Sequence, residues 1–166
     1  MRAGWVAMAL LMAFPACSPV RRYQEAARSL TFSLDRVEPR VQLAFPLERS
    51  RISFDLTVGV TNPSTVAFHI QRFQGAFRLD AGDGPRLLGQ VQLMKPLDLP
   101  AGGQAGLRVA LAFTYQDLAD RWPLLQSVLH GERNGAWELE GTLGGTAYGV
   151  PLQLPVKTRR TFGTAP

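Results

Sequence analysis

The chain has 166 residues, with 18 Lys and Arg against 13 Asp and Glu, a formal charge of +5 and one Cys. That length fits one domain with short appendages, and a hydrophobic share of 46% excludes wholesale disorder. One Cys excludes an internal disulfide framework, and with His69, His130 and Cys17 as the chain's only imidazole or thiol ligands a four-ligand zinc site cannot be built within it.

Met1 to Cys17 places one Arg before an apolar run from Trp5 to Phe14, then Ala16 and Cys17. A charged start, a short apolar centre and a small residue before the cut predict a signal peptide over 1–16. The run is too short for a spanning helix, which needs roughly 20 apolar residues. Cys17 directly after Ala16 resembles the lipobox of bacterial lipoproteins. The resemblance implies that the Cys17 thiol is lipidated, becomes the mature N-terminus and holds the protein to a membrane of the bacterial envelope. Ser18 after the Cys fits the outer membrane, with the domain facing the periplasm. The other reading is an ordinary signal that releases a soluble secreted protein. Residues 17–28, rich in Arg, are expected to form the lipidated Cys and a polar tether. Basic residues beside an anchor also favour an anionic surface. Lys95 and Lys157 are the only lysines, and charge is scattered along the chain rather than gathered in a basic stripe, which argues against nucleic acid.

From Leu30 onward, apolar and polar residues alternate. Leu30, Phe32 and Leu34 form one set, Val41, Leu43, Phe45 and Leu47 a second, and Ile52, Phe54, Leu56, Val58 and Val60 a third. A two-residue period predicts half-buried antiparallel strands. Asn62-Pro63-Ser64 ends the third strand, because Pro lacks a ladder donor and Asn bonds its own backbone. Val66, Phe68 and Ile70 then alternate in one phase and Phe73, Phe77 and Leu79 in the other, which predicts a bulge near Gln71-Arg72. Asp80 to Gly84 is expected to be a hairpin turn; it lacks the further oxygen ligands of a calcium loop.

Leu87 to Leu93 predicts a short strand, Gly102-Gly103 a turn, and Leu107 to Phe113 another strand. Leu118, Trp122, Leu125 and Leu129 follow a helical stripe, with Thr114 and Asp117 as its capping pair, Pro123 as a kink and Gly131 as its stop. Trp137 to Leu143 and Tyr148 to Leu154 are expected to pair across a tight Gly144-Gly145 turn. Residues 158–166 are expected to be a disordered tail. The sum is an all-β domain over 29–157: an immunoglobulin or fibronectin III-like β-sandwich of seven to eight antiparallel strands with one short kinked helix.

The segment from Ser53 to Ser64, ending in Asn62-Pro63, resembles the strand-plus-Asn-Pro element of the late-embryogenesis-abundant type 2 family, whose unit is the WHy domain. The likeness continues through Phe68-His69-Ile70, the Leu97-Asp98-Leu99-Pro100-Ala101-Gly102-Gly103 turn and Trp137 to Leu143. It implies a β-sandwich linked to water, desiccation and other stress, with no catalytic residues.

Catalytic constellations are hard to find in the residues themselves. No Ser sits in Gly-x-Ser-x-Gly, and the Gly pairs join strands instead of opening a helix, so neither a hydrolase elbow nor a phosphate cradle is supported. His69 is expected on an outer strand face and His130 at a helix end. Glu138 and Glu140 share one strand face and are expected to be solvated carboxylates. No metal and no cofactor is expected. The leading expectation is a lipid-anchored, non-enzymatic binding or structural protein, acting through the loop at Asn62, Pro63 and Ser64 or through a sheet edge, with an envelope protein as partner. The alternative is a carrier of an apolar ligand or lipid between the sheets, suggested by Phe68, Phe73 and Phe77.

Overall fold

The computed structural model describes residues 19–42, 44–46, 49–113 and 134–163. Helix α1 (Pro19–Arg28) leads into β1 (Thr31–Gln42), β2 (Arg51–Thr61), β3 (Phe68–Asp80), β4 (Pro85–Leu93), β5 (Leu97–Leu99), β6 (Gln104–Phe113), β7 (Gly135–Ala147) and β8 (Val150–Phe162). The domain is all-β and antiparallel apart from this short helix. The signal peptide expected over 1–16, Cys17 and the kinked helix expected between Thr114 and Gly131 lie outside the described residues.

All eight strands share one sheet, ordered β1-β2-β6-β4-β3-β7-β8, with β5 beside β3. Strand β4 pairs with β3 from Pro85 to Gln92. It joins β6 only through Gln92 opposite Ala110 and Leu93 opposite Val109. At this narrow join the sheet turns over, so Phe54 on β2 faces Phe77 on β3 and Trp137 on β7, at ring distances of 6.3 and 6.1 Å. The product is a curled half-barrel. Its two outer strands approach each other, and the Arg160 guanidinium on β8 donates to the Leu34 carbonyl on β1 at 3.3 Å.

Aromatic rings fill the centre. Phe77 stacks on Trp137 at 5.3 Å, Phe113 meets Phe54 edge-on at 5.7 Å, and Phe162 closes over Trp137 at 5.0 Å. These arrangements are the offset and edge-to-face geometries that ring quadrupoles prefer. Around them Leu56, Leu79, Leu88, Leu99, Leu107 and Leu139 are fully buried.

Two bulges explain the changes of phase along the chain. In β3 the register with β7 shifts between Ile70 and Arg72, so the bulge expected near Gln71 is present. In β1 the register with β2 shifts between Leu34 and Arg36. That second bulge merges the separate strands expected at Leu30 and Val41 into one long β1, because the odd phase of Val37 continues the even phase of Leu34. Asp35, the extra residue, accepts a hydrogen bond from Ser33 Oγ at 2.7 Å. Its carboxylate lies over Gly59, where a Cβ would collide with it.

Three expectations are corrected. The turn between the last strands is Tyr148-Gly149, with φ of 49° and 80°, while Gly144-Gly145 lies inside β7. A two-residue hairpin needs positive φ at both central residues, and Gly149 supplies the second without strain. The Gly pair serves close approach instead: a Cβ on Gly145 would strike the His69 carbonyl of β3. The tail expected at 158–166 is strand up to Phe162. Thr158 continues the inward row of Leu152, Leu154 and Val156, and Phe162 reaches the Trp137 ring. Prolines disguised this strand, yet Pro151 and Pro155 are tolerated because β8 is an edge that needs no donors on its outer side. Finally, the tether expected over 17–28 is helical from Pro19, with Ala27 buried against the body of the domain and Tyr23 packed beside it.

A pair of facing glycines tests the packing between β3 and β7. Gly75 sits opposite Gly141, and a Cβ on Gly75 would come within 2.6 Å of the Glu140 carbonyl and 2.9 Å of the Phe73 ring. Backbone cannot yield as a flexible side-chain end can. Gly75→Ala is expected to lower stability by about 1–3 kcal/mol, read as a lower urea midpoint with an unchanged slope.

Candidate functional site

Strand β2 ends at Thr61, and the next side chain turns inward. Asn62 is fully buried, yet both polar atoms of its side chain are engaged. Its Nδ2 donates to the Val66 and Pro100 carbonyls, both at 2.8 Å. Its Oδ1 accepts from the Ser64 backbone N–H at 3.1 Å and from Ser64 Oγ at 2.7 Å. Ser64 Oγ in turn accepts from the Val66 N–H at 3.2 Å. Only a short carboxamide offers two donors and one acceptor at this reach, so Asp, with acceptors alone, would face two carbonyls.

The same knot binds a second loop. Asn62 N–H donates to the Gly103 carbonyl at 2.9 Å, and Gly102 N–H donates to the Ser64 carbonyl at 2.8 Å. Gly102 takes φ of 64°, a left-handed conformation suited to glycine. The Asn62-Pro63-Ser64 loop and the Pro100 to Gly103 turn are therefore one braced unit. Pro63, Thr65 and Ala67 remain exposed on its outer side. Of the expected site residues, Asn62 is a brace, Ser64 is half-buried within it, and Pro63 is presented outward. The junction with Pro100 was hidden from the sequence, since 38 residues separate the two partners.

Other candidate groups lie on surfaces. His69 Nδ1 meets Asp98 Oδ1 across the β3–β5 pair, and both side chains are open to solvent. Glu140 pairs with Arg78 at 2.8 Å. Glu138 and Asp80 share Arg159, each at 3.1 Å. Glu140 stands in solvent as expected, and its exposed pair with Arg78 contributes little to stability, whereas Glu138 is largely covered beside Arg159 with only 19% of its side chain exposed. His130 lies outside the described residues. Among the described residues, no three His, Cys, Asp or Glu side chains gather where a metal ion could be held. Phe68, Phe73 and Phe77 are buried in the core, where an apolar ligand would have to displace them.

The topology also decides what stands near the Asn62 knot. Thr31 pairs with Thr61, His69 with Thr146, and β8 begins at Val150, so the Tyr148-Gly149 hairpin and α1 occupy the same end of the half-barrel. The Tyr23 and Tyr148 rings are in contact there, with centroids 5.6 Å apart.

No protein-family model matches the chain, and no curated protein sequence does. Solved structures are similar to it. The solution structure of AT1g01470 from Arabidopsis thaliana is 18% identical, with 80% of each chain covered and a TM-score of 0.53. A candidate late embryogenesis abundant (LEA) protein, At2g46140.1, is 15% identical over 87% of this chain and 77% of that one, with a TM-score of 0.47. A protein from Archaeoglobus fulgidus is 13% identical over 80% of this chain and 98% of that one, with a TM-score of 0.42. At such identities the likeness of the Arabidopsis protein concerns the fold alone: this chain has the architecture of AT1g01470.

Proposed function

We propose that the chain is a non-enzymatic binding or structural domain of the bacterial cell envelope, anchored by lipid on Cys17 and acting under water or desiccation stress. In this reading the curled sheet is an immunoglobulin or fibronectin III-like sandwich, and the domain faces the periplasm from the outer membrane. The observation that carries it is the buried Asn62 knot. Two loops fixed to each other by backbone and carboxamide hydrogen bonds form a preorganised surface, which lowers the ordering cost of binding another protein. The sequence motif of Cys17 and the WHy-like order of segments supply the location and the link to stress.

Mass spectrometry of the N-terminus of protein extracted from membranes tests the anchor. The expected mature chain starts at Cys17 with diacylglyceryl on its sulfur, and Cys17→Ser moves the protein to the soluble fraction. An unmodified N-terminus, or a Cys17→Ser protein that stays with membranes, would refute it. A photocrosslinker in place of exposed Pro63 tests the surface: a reproducible envelope-protein adduct is expected, and it should vanish when the crosslinker is moved to Gln90 on β4.

A further inference from the structure

Resting on the reading of Cys17 as a lipid anchor, we infer that the α1 end of the half-barrel lies against the bilayer itself. There the arginines of α1 and of the groove beside it bind the anionic phosphates of lipid headgroups.

Chain length leaves little choice of position. Helix α1 starts at Pro19, two residues after Cys17, and two residues of extended chain reach about 7 Å at most. An acylated Cys17 therefore holds α1 within the headgroup layer. The helix turns Ala27 and Tyr23 toward the domain. Arg21, Arg22 and Arg28 are exposed on its other sides, against the single acid Glu25, which pairs with Arg21 at 3.2 Å.

The basic surface does not stop at the helix. Gln24 and Arg28 border a groove of about 180 Å³ along Pro151 to Leu154 of β8. From Pro151 to Gln153 it runs on into a second hollow of about 440 Å³, bordered by Thr146 and Arg72 at the β3 bulge. Gly144 leaves room for Arg72 to lie across β7, since a Cβ there would sit 2.5 Å from Arg72 Nε. Among the described residues Arg22, Arg28 and Arg72 have no carboxylate partner, so their charge is free for an external anion. Four arginines against one glutamate complement an anionic leaflet.

Aromatic placement supports the same occupant. Tyr148 is 73% exposed at the tip of the β7–β8 hairpin and touches Tyr23, while Val20 is also exposed on the helix. A ring with an apolar body and a wet hydroxyl suits the depth of the headgroups. An extended acidic peptide would use the groove but leave Tyr148 and Val20 without a role.

The test uses the protein extracted from membranes and reconstituted on vesicles of phosphatidylcholine with or without phosphatidylglycerol. Co-flotation with pure phosphatidylcholine at high salt reports the acyl chains alone. Amide hydrogen exchange in α1 and in residues 145–153 reports the surface. Exchange there is expected to slow about tenfold when phosphatidylglycerol is present and to recover at roughly 0.5 M salt. Arg22→Gln with Arg28→Gln and Arg72→Gln should abolish the slowing. These side chains are exposed, and unchanged exchange in β2 and β3 would show that the variant is folded. Equal exchange on both vesicles, or slowing that survives the Arg replacements, would overturn the proposal. So would an acidic peptide that protects these segments where phosphatidylglycerol does not. Failure to float on phosphatidylcholine would instead remove the anchor.

Discussion

Replacing Phe54 with Ala is expected to cost the domain about 3–5 kcal/mol, a large share of the roughly 5–15 kcal/mol that separates folded from unfolded states. Phe54 is 1% exposed and its ring touches Phe77, Phe113 and Trp137, which stand on β3, β6 and β7. It is thus the residue that joins the two halves of the curled sheet. Truncation removes the apolar area and leaves a hollow that rigid neighbouring strands cannot fill. Urea unfolding followed by tryptophan fluorescence measures the loss. A change below about 1 kcal/mol would mean that the facing layers can close without this ring. Phe162→Ala, at the half-buried rim, should cost clearly less.

Asn62→Ala is expected to destabilise by about 2–4 kcal/mol without removing any apolar contact. The Val66 and Pro100 carbonyls would each lose a donor at 2.8 Å in a place that water does not reach freely. Asn62→Asp should be no milder, because a carboxylate there places acceptor against acceptor. Ser64→Ala, which removes the hydroxyl bridge to Asn62 and Val66 at the half-exposed edge of the knot, should cost about 1 kcal/mol. Hydrogen exchange gives the sharper reading. The Ser64 and Gly102 amides should lose protection in Asn62→Ala while those of β7 and β8 keep theirs. Uniform loss across the sheet would show that the knot is not a local brace.

What the sequence disclosed depended on whether the signal was local. The alternation at Ile52 to Val60 marks β2 without ambiguity, and the change of phase between Ile70 and Phe73 located a bulge. Both signals are written in neighbouring residues. The Gly144-Gly145 pair misled because glycine answers two demands, a positive φ and a close backbone approach, and only the position of β3 reveals which applies. Residues after Pro155 looked like a tail because Pro and Arg oppose a central strand, whereas at an edge they do no harm. The helix at Pro19–Arg28 leaves little trace in the sequence, because its packed apolar face is only Tyr23, Ala26 and Ala27. Asn62 was legible as a strand terminator. Its second task, holding the Pro100 turn, depends on a contact that no local pattern encodes.

The seam between β1 and β8, closed by Arg160 on the Leu34 carbonyl, joins positions 126 residues apart. Helix α1 rests on the same final strand. Whichever way the polypeptide is delivered, from the ribosome or through a translocation channel, α1 and β1 must wait for β8 before the architecture is complete. A topology whose partners lie this far apart along the chain belongs among the slower folders. During that interval the apolar sides of β1 and α1 lack the cover of β8, which is the moment at which a chaperone would have the most to hold.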